Sequence, residues 1–239
     1  MTKNDLDKIL QRAKTGDSLA EFEMGIYYDD GLKDEKSNIL VKKDKKRAIQ
    51  WYKKAAHHGN VDAMVSYAIF LTDGLGIEKN QKEAIKWLKF AVKKGLSYAS
   101  INIAIIYIEQ KNYRRAFFWF YRAVEMGDGD ACFDLAWCYC KGIGIRKNFE
   151  LCKKYLHCAI KAKNISEYGR QMAMILIGIL YYNGFGVSLS FEKAKRWFEK
   201  ANGIDENEPI VSTVLHDLKQ KKSISIDISK PVWDKDIIR

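Results

Sequence analysis

Proline is nearly absent from this sequence. Only Pro209 and Pro231 occur among its 239 residues, and the turn signals that usually bound short strands are scarce. A protein built mainly from strands is therefore not expected. A disordered chain is not expected either, because 47% of the residues are hydrophobic and 13% are aromatic.

Segments that would direct the chain to a membrane are also missing. The longest apolar stretch, from about Met172 to Tyr182, is too short to span a bilayer comfortably and predicts a buried helix. The first seven residues lack the apolar core of a secretory signal. We therefore expect a cytoplasmic protein with no membrane partner.

The cysteines do not form the pattern of a disulfide framework. They are odd in number and lie in one short stretch, as Cys132, Cys138, Cys140, Cys152 and Cys158. With His157, four of them have the ligand types of a zinc site, but Cys138 and Cys140 on one helix point their sulfurs about 200° apart. We expect buried free thiols and no metal ion.

A pattern of Ala-x-x-aromatic-hydrophobic-x-x-Ala returns at intervals of roughly 32 to 42 residues, within the range of helix-pair repeats. Its spacings of three and four residues place these positions on one helix face. The small residues let a neighbouring helix approach, and the aromatic residue fills the gap between helices. The copies are Ala48/Trp51/Tyr52/Ala55, Ala84/Trp87/Leu88/Ala91, Ala116/Trp119/Phe120/Ala123, Cys152/Tyr155/Leu156/Ala159 and Ala194/Trp197/Phe198/Ala201.

A second amphipathic segment precedes each copy, so each unit is predicted to contain two helices. Its core is hydrophobic-small-x-x-aromatic or aliphatic: Met24-Gly25/Tyr28, Tyr67-Ala68/Leu71, Ile103-Ala104/Tyr107, Leu135-Ala136/Tyr139 and Ile177-Gly178/Tyr181. Glycine-bracketed turns connect the two helices at 74–77, 142–145 and 184–187, because glycine adopts the positive φ that ends a helix. The turns lack the following Lys-Ser/Thr of a phosphate loop, so no cofactor is expected.

These residues resemble the Sel-one-like repeat family, a relative of the tetratricopeptide repeats, from about Leu6 to Gly203. The resemblance implies an all-α fold, an α/α superhelical solenoid of about five helix-turn-helix repeats, at about 16–58, 59–94, 95–126, 127–163 and 164–203. The first repeat departs from the pattern by a lysine-rich insertion between Gly31 and Asp44, and the third by Glu109-Gln110-Lys111 in place of Gly-x-Gly.

Both ends of the repeat array are predicted to be covered, because exposed solenoid ends need caps. Residues 1–15 form an N-terminal capping helix and residues 204–222 a C-terminal one. Residues 223–239 alternate at period two at first and are predicted to be an extended tail. The tail either lies against the last repeats or acts as an arm that occupies the groove or swaps to a partner.

The resemblance implies that the first helix of each repeat lines a concave face and the second lies outside. Acidic residues dominate the first helices, whereas lysines and arginines dominate the second helices, so the net charge of +11 is mostly convex. A nucleic acid would need basic residues in the groove and is not an expected partner. The outer lysines are read as a solvated surface, with an acidic partner as the alternative.

The predicted partner-binding residues follow the first helices. Apolar residues one turn apart form a ladder that either packs between helices or stays partly exposed as a groove. With its acidic margin, the groove suits a basic or amphipathic segment of a partner protein. The site comprises Phe22, Ile26, Val65, Ile69, Asp73, Ile101, Ile105, Asp130, Phe133, Asp134, Trp137, Ile175 and Ile179.

No catalytic site is predicted, because there is no glycine-flanked nucleophilic serine and the four histidines fall on outer or capping helices. The expected function is a non-enzymatic protein–protein interaction scaffold or adaptor. A narrower alternative is an immunity protein that binds a secreted antibacterial toxin. A third is a β-lactam-directed enzyme, as described for cysteine-rich members of the resembled family, but Val124 stands where the disulfide partner of Cys132 would be.

Overall fold

The computed structural model describes residues 1–203, and the predicted C-terminal capping helix and tail lie outside them. The described residues divide into two compact units, of which the first is Met1–Ile106 and the second begins at Tyr107. In the described part of the chain, the elements are α1 Lys3–Lys14, α2 Ser18–Asp30, β1 Leu32–Lys33, β2 Ile39–Val41, α3 Lys45–His57, α4 Val61–Asp73, α5 Gln81–Lys93, α6 Tyr98–Glu109, α7 Tyr113–Glu125, α8 Gly129–Lys141, α9 Phe149–Lys161, α10 Glu167–Asn183 and α11 Phe191–Asn202. The predicted all-α fold of repeated helix pairs is confirmed.

The helices begin where a short polar side chain caps the backbone. Asn60 accepts a hydrogen bond from the Ala63 amide at 2.8 Å, and Asp128 accepts one from the Ala131 amide at 3.1 Å. Side-chain caps of this kind satisfy amides that have no partner within the helix. The second helices, α3, α5, α7, α9 and α11, start after the caps Asp44, Asn80, Asn112, Asn148 and Ser190.

Glycine ends three of the first helices, as the sequence predicts. Gly74, Gly142 and Gly184 adopt left-handed backbone conformations with φ of 75°, 78° and 67°, which other residues adopt at a cost. The third repeat lacks this glycine, and Lys111 takes the left-handed conformation there, with φ of 56°. The departure in sequence thus changes the residue that makes the turn.

The insertion in the first repeat forms a two-stranded antiparallel hairpin of β1 and β2. Asp34 holds its turn by accepting hydrogen bonds from the amides of Lys36 and Asn38, at 2.9 and 2.8 Å. Val41 is buried in a cluster with Leu6, Ala13 and residues of α2. The hairpin is therefore packed onto the helices of the first unit.

The repeated stripe of the second helices forms the core within each unit. Its alanines are fully buried, and the large residue after the aromatic position is also buried, as in Tyr52, Leu88, Phe120, Leu156 and Phe198. The preceding aromatic residues, Trp51, Trp87, Trp119, Tyr155 and Trp197, are only half-buried. They nevertheless lie between helices, since Trp87 contacts Tyr67 of α4 and Tyr155 stacks on Tyr139 of α8, with ring centroids 5.7 and 5.6 Å apart.

Candidate partner-binding faces

The predicted ladder is partly exposed in the first unit. There it comprises Phe22, Ile26, Val65, Ile69, Ile101 and Ile105, which we call the first-helix face of unit 1. Ile69 on α4 is 39% exposed, whereas Val65, one turn earlier, is 3% exposed. The other members on α2 and α6 are half-buried. This face therefore leaves apolar side chains partly exposed.

The first helices of unit 1 are rich in acidic residues. The helices α2 and α4 carry Glu21, Glu23, Asp29, Asp30, Asp62 and Asp73 and contain no lysine or arginine. The Tyr98 hydroxyl donates a hydrogen bond to the Asp62 carboxylate at 2.9 Å. Burial, together with this bond, raises the pKa of Tyr98. The predicted acidic residue Asp73 is half-buried at the end of α4.

Second helices of the same unit carry the opposite charge. Lys45 forms an ion pair with Asp29 of α2, and the Tyr52 hydroxyl lies 3.4 Å from the other oxygen of that carboxylate. The helix α3 contains five lysines or arginines and no acidic residue. Charge is thus separated between first and second helices, as the sequence predicts.

In the second unit the ladder is buried. Phe133 and Trp137 on α8 are each 2% exposed, and their stacked rings lie 6.4 Å apart between centroids. Ile175 and Ile179 on α10 belong to the same apolar cluster and are also buried. These four residues, the first-helix face of unit 2, therefore pack within the protein.

The two predicted acidic residues of the second unit, Asp130 and Asp134, are held within the protein by hydrogen bonds or by burial. Asp130 accepts hydrogen bonds from Ser166, from the amide at 3.2 Å and from the hydroxyl at 2.6 Å, and so fastens the start of α10. Asp134 is buried, and burial raises the pKa of its carboxyl well above the usual range, with further contributions from Asp130 and Asp128. Asp134 is therefore a buried acid rather than a charged rim residue.

Three polar or thiol contacts were not predicted from the sequence. His58 pairs with buried Glu21, Arg170 donates to the carbonyl of Ala162 at 2.9 Å, and Cys132 contacts Cys158. The cysteine contacts could have been found from the order of the cysteines in the sequence. Cys132 on α8 contacts Cys158 on α9, and Cys140 contacts Cys152, so the earlier cysteine of α8 pairs with the later cysteine of α9. Neighbouring antiparallel helices produce this order.

Two further features are missing from the described part of the chain. Within residues 1–203, no three side chains of His, Cys, Asp or Glu are placed to hold a metal ion. None of the helices within these residues combines the length and apolar character that crossing a bilayer requires.

Comparison with known proteins assigns the repeats. The family model described as Sel1 repeat matches residues 18–60, 61–96, 106–128, 129–164 and 171–202. Among curated proteins, none matches this chain.

Solved structures with the same repeat are similar to this chain. A Sel1 repeat protein from Oxalobacter formigenes is 27% identical over 83% of this chain and 76% of its own, with a TM-score of 0.67. The protective antigen c5321 of uropathogenic Escherichia coli strains, which displays an SLR fold, is 27% identical over 90% of this chain, with a TM-score of 0.71. This chain covers only 44% of that antigen.

A third structure shares the fold at lower identity. The immunity protein Pa5087 from Pseudomonas aeruginosa is 17% identical over 85% of this chain and 78% of its own, with a TM-score of 0.50. At this identity, the likeness concerns the fold alone.

Proposed function

Since the chain belongs to the Sel1 repeat family, we propose that it is a non-enzymatic scaffold that holds a partner protein on its first helices. Helical-repeat scaffolds of this kind are typical of protein–protein interaction. We further propose that the protein acts in the cytoplasm.

The observation that carries the proposal is the exposed apolar side chain of Ile69 in an acidic surrounding. Ile69 is 39% exposed on α4, which buries most of its other apolar residues, and the sequences of α2 and α4 contain six acidic residues and no lysine or arginine. An apolar contact next to carboxylates favours a partner segment that is amphipathic and basic. We therefore place the partner's main contact on the first-helix face of unit 1.

Photo-crosslinking at single positions tests this placement. A photoreactive phenylalanine analogue is installed in the full chain at Ile69, and in a control at Ile77, which lies in the turn after α4 and is 38% exposed. The proposal expects one protein to be crosslinked from native lysate at position 69 and not at position 77. Equal crosslinking at both positions, or crosslinking at position 77 alone, would contradict it.

A narrower candidate is the neutralisation of an antibacterial toxin. The immunity protein Pa5087 has a similar fold, so this architecture is compatible with the role of an immunity protein. Co-expression with a toxin encoded beside the gene tests it. Restored growth of the toxin-producing cells, lost with the variant Ile69→Asp, is the expected result.

A further inference from the structure

Two cysteines of the second unit face each other across a helix pair. Cys132 lies near the start of α8 and Cys158 near the end of α9, and their Sγ atoms are 2.8 Å apart. A disulfide bond joins its sulfurs at about 2.05 Å, so a small approach of the two side chains brings them to bonding distance. The residue opposite Cys132 is thus Cys158 within the same repeat, and not position 124.

The two thiols differ in their access to solvent. Cys158 is exposed, whereas Cys132 is 3% exposed. Burial raises the pKa of Cys132, and the neighbouring Cys158 adds to this effect, so Cys132 stays protonated when the pair is undisturbed. A reagent from solution therefore meets Cys158 first, and Cys132 is placed to react with whatever Cys158 carries.

We propose that Cys132 and Cys158 form a reversible disulfide by exchange with a low-molecular-weight disulfide. The Cys158 thiolate attacks one sulfur of the reagent, whose S–S bond breaks, and the first small thiolate leaves. Cys132 then loses its proton, and its thiolate attacks the Cys158 sulfur of the mixed disulfide, so that the second small thiolate leaves. The reagent gains two electrons and the two cysteine protons, becoming two small thiols.

A second pair of thiols lies in the same helix pair. Cys140, near the end of α8, shares a hydrogen bond with buried Cys152, near the start of α9. The side chain of Cys152 is fully buried. Cys138 lies on α8 between the two pairs and is fully buried, which makes it a suitable position for a control.

The expected consequence of the Cys132–Cys158 bond is a stiffer second unit. It would close a loop between residues 26 positions apart in sequence and thereby restrict the unfolded chain. The melting temperature of the oxidised protein is expected to rise on the order of 5 °C. The bond would also fix α9 against α8, which carries Phe133 and Trp137.

The test treats the reduced full chain with oxidised glutathione and maps disulfides in non-reduced peptides by mass spectrometric fragmentation. The wild-type chain should give a Cys132–Cys158 link, whereas Cys132→Ser should accumulate glutathione on Cys158. Cys158→Ser should give neither a link nor a glutathione adduct at Cys132. The control Cys138→Ala should form the same link as the wild type.

Three results would overturn the proposal. They are a lasting glutathione adduct on Cys158 of the wild type, a link from Cys158 to a different cysteine, and the persistence of both thiols under conditions that oxidise a model dithiol peptide. Because Cys158 is exposed, Cys158→Ser is expected to fold, and circular dichroism checks that each variant is helical.

Discussion

His58 and Glu21 form a contact between an exposed and a buried partner: Nδ1 of His58 lies 2.6 Å from Oε2 of Glu21. The Glu21 side chain is 2% exposed, whereas that of His58 is 49% exposed. The pair joins α2 to the end of α3 across 37 positions of sequence. Removing His58 therefore leaves the buried Glu21 side chain without this contact.

His58→Ala is expected to lower the free energy of unfolding by about 1–3 kcal/mol, because the buried Glu21 carboxylate loses its partner. Urea unfolding followed by circular dichroism measures this loss. In the double variant with Glu21→Gln, the two losses should be less than additive, because the charge that needs the partner is gone. Additive losses would show that the contact contributes little.

Asp134 should make the stability of the protein depend on pH. Its pKa is higher in the folded protein than in the unfolded chain, because burial favours the protonated carboxyl. The contribution of this group to stability is therefore complete below the unfolded pKa of about 3.9 and is lost as pH rises through the folded pKa. Asp134→Asn is expected to be more stable than the wild type at pH 7, with the advantage shrinking towards pH 4. Urea unfolding at both pH values measures the difference.

The control for Asp134→Asn removes the same charge from an exposed turn. Glu78 follows Ile77 and is exposed, so Glu78→Gln reports what a change of net charge does by itself. An equal pH-dependent gain in both variants would show that burial of Asp134 is not its cause.

Gly178 on α10 makes room for Phe198 on α11. A Cβ atom added at Gly178 would lie 2.6 Å from Cε1 of Phe198, whose side chain is fully buried. Gly178→Ala is therefore expected to cost about 1–3 kcal/mol of stability through overpacking. Thermal and urea unfolding measure this cost.

A second substitution should relieve the overpacking. The corresponding positions of α8 and α9 are Ala136 and Leu156, both fully buried. The double variant Gly178→Ala with Phe198→Leu installs that combination, and it should be more stable than Gly178→Ala alone. If the double variant is instead less stable than Gly178→Ala alone, the close approach of Gly178 and Phe198 does not limit the size of residue 178.

The sequence is sufficient to predict the helix pairs, because small and large residues recur at helical spacing in every repeat. The sequence is not sufficient to predict which residues of the ladder are buried. The spacing of Phe133 and Trp137 equals that of Val65 and Ile69, yet Trp137 is buried and Ile69 is exposed. Spacing identifies a shared face, but exposure depends on how closely the neighbouring helices pack.

Polar contacts were predicted least well, since they join positions far apart in sequence. The sequence predicts Asp130 on the acidic margin of the groove, whereas the structure shows it bound to Ser166, 36 positions away. The pairing of Cys132 with Cys158 likewise depends on the register of α8 against α9. The sequence shows that cysteines occur on both helices, but it does not show the register that brings two of them into contact.

Ile69→Asp is expected to weaken partner binding by about 2 kcal/mol, or roughly thirtyfold in Kd, because a central apolar contact is replaced by a charge. Ile77→Asp is the matched control, since Ile77 is 38% exposed against 39% for Ile69 but lies in the turn after α4. Surface plasmon resonance with the crosslinked partner measures both. Each variant should keep its helical circular dichroism, because neither side chain is buried.

Salt should separate the apolar from the electrostatic part of this binding. If the carboxylates of α2 and α4 attract a basic partner, the association rate of the wild type falls as salt rises. Ile69→Asp should mainly speed dissociation, because it removes a short-range contact. Equal weakening by Ile69→Asp and Ile77→Asp would move the partner away from the first-helix face of unit 1. Loss of binding only on reversal of basic residues such as Lys53 and Lys54 would place it on the second helices.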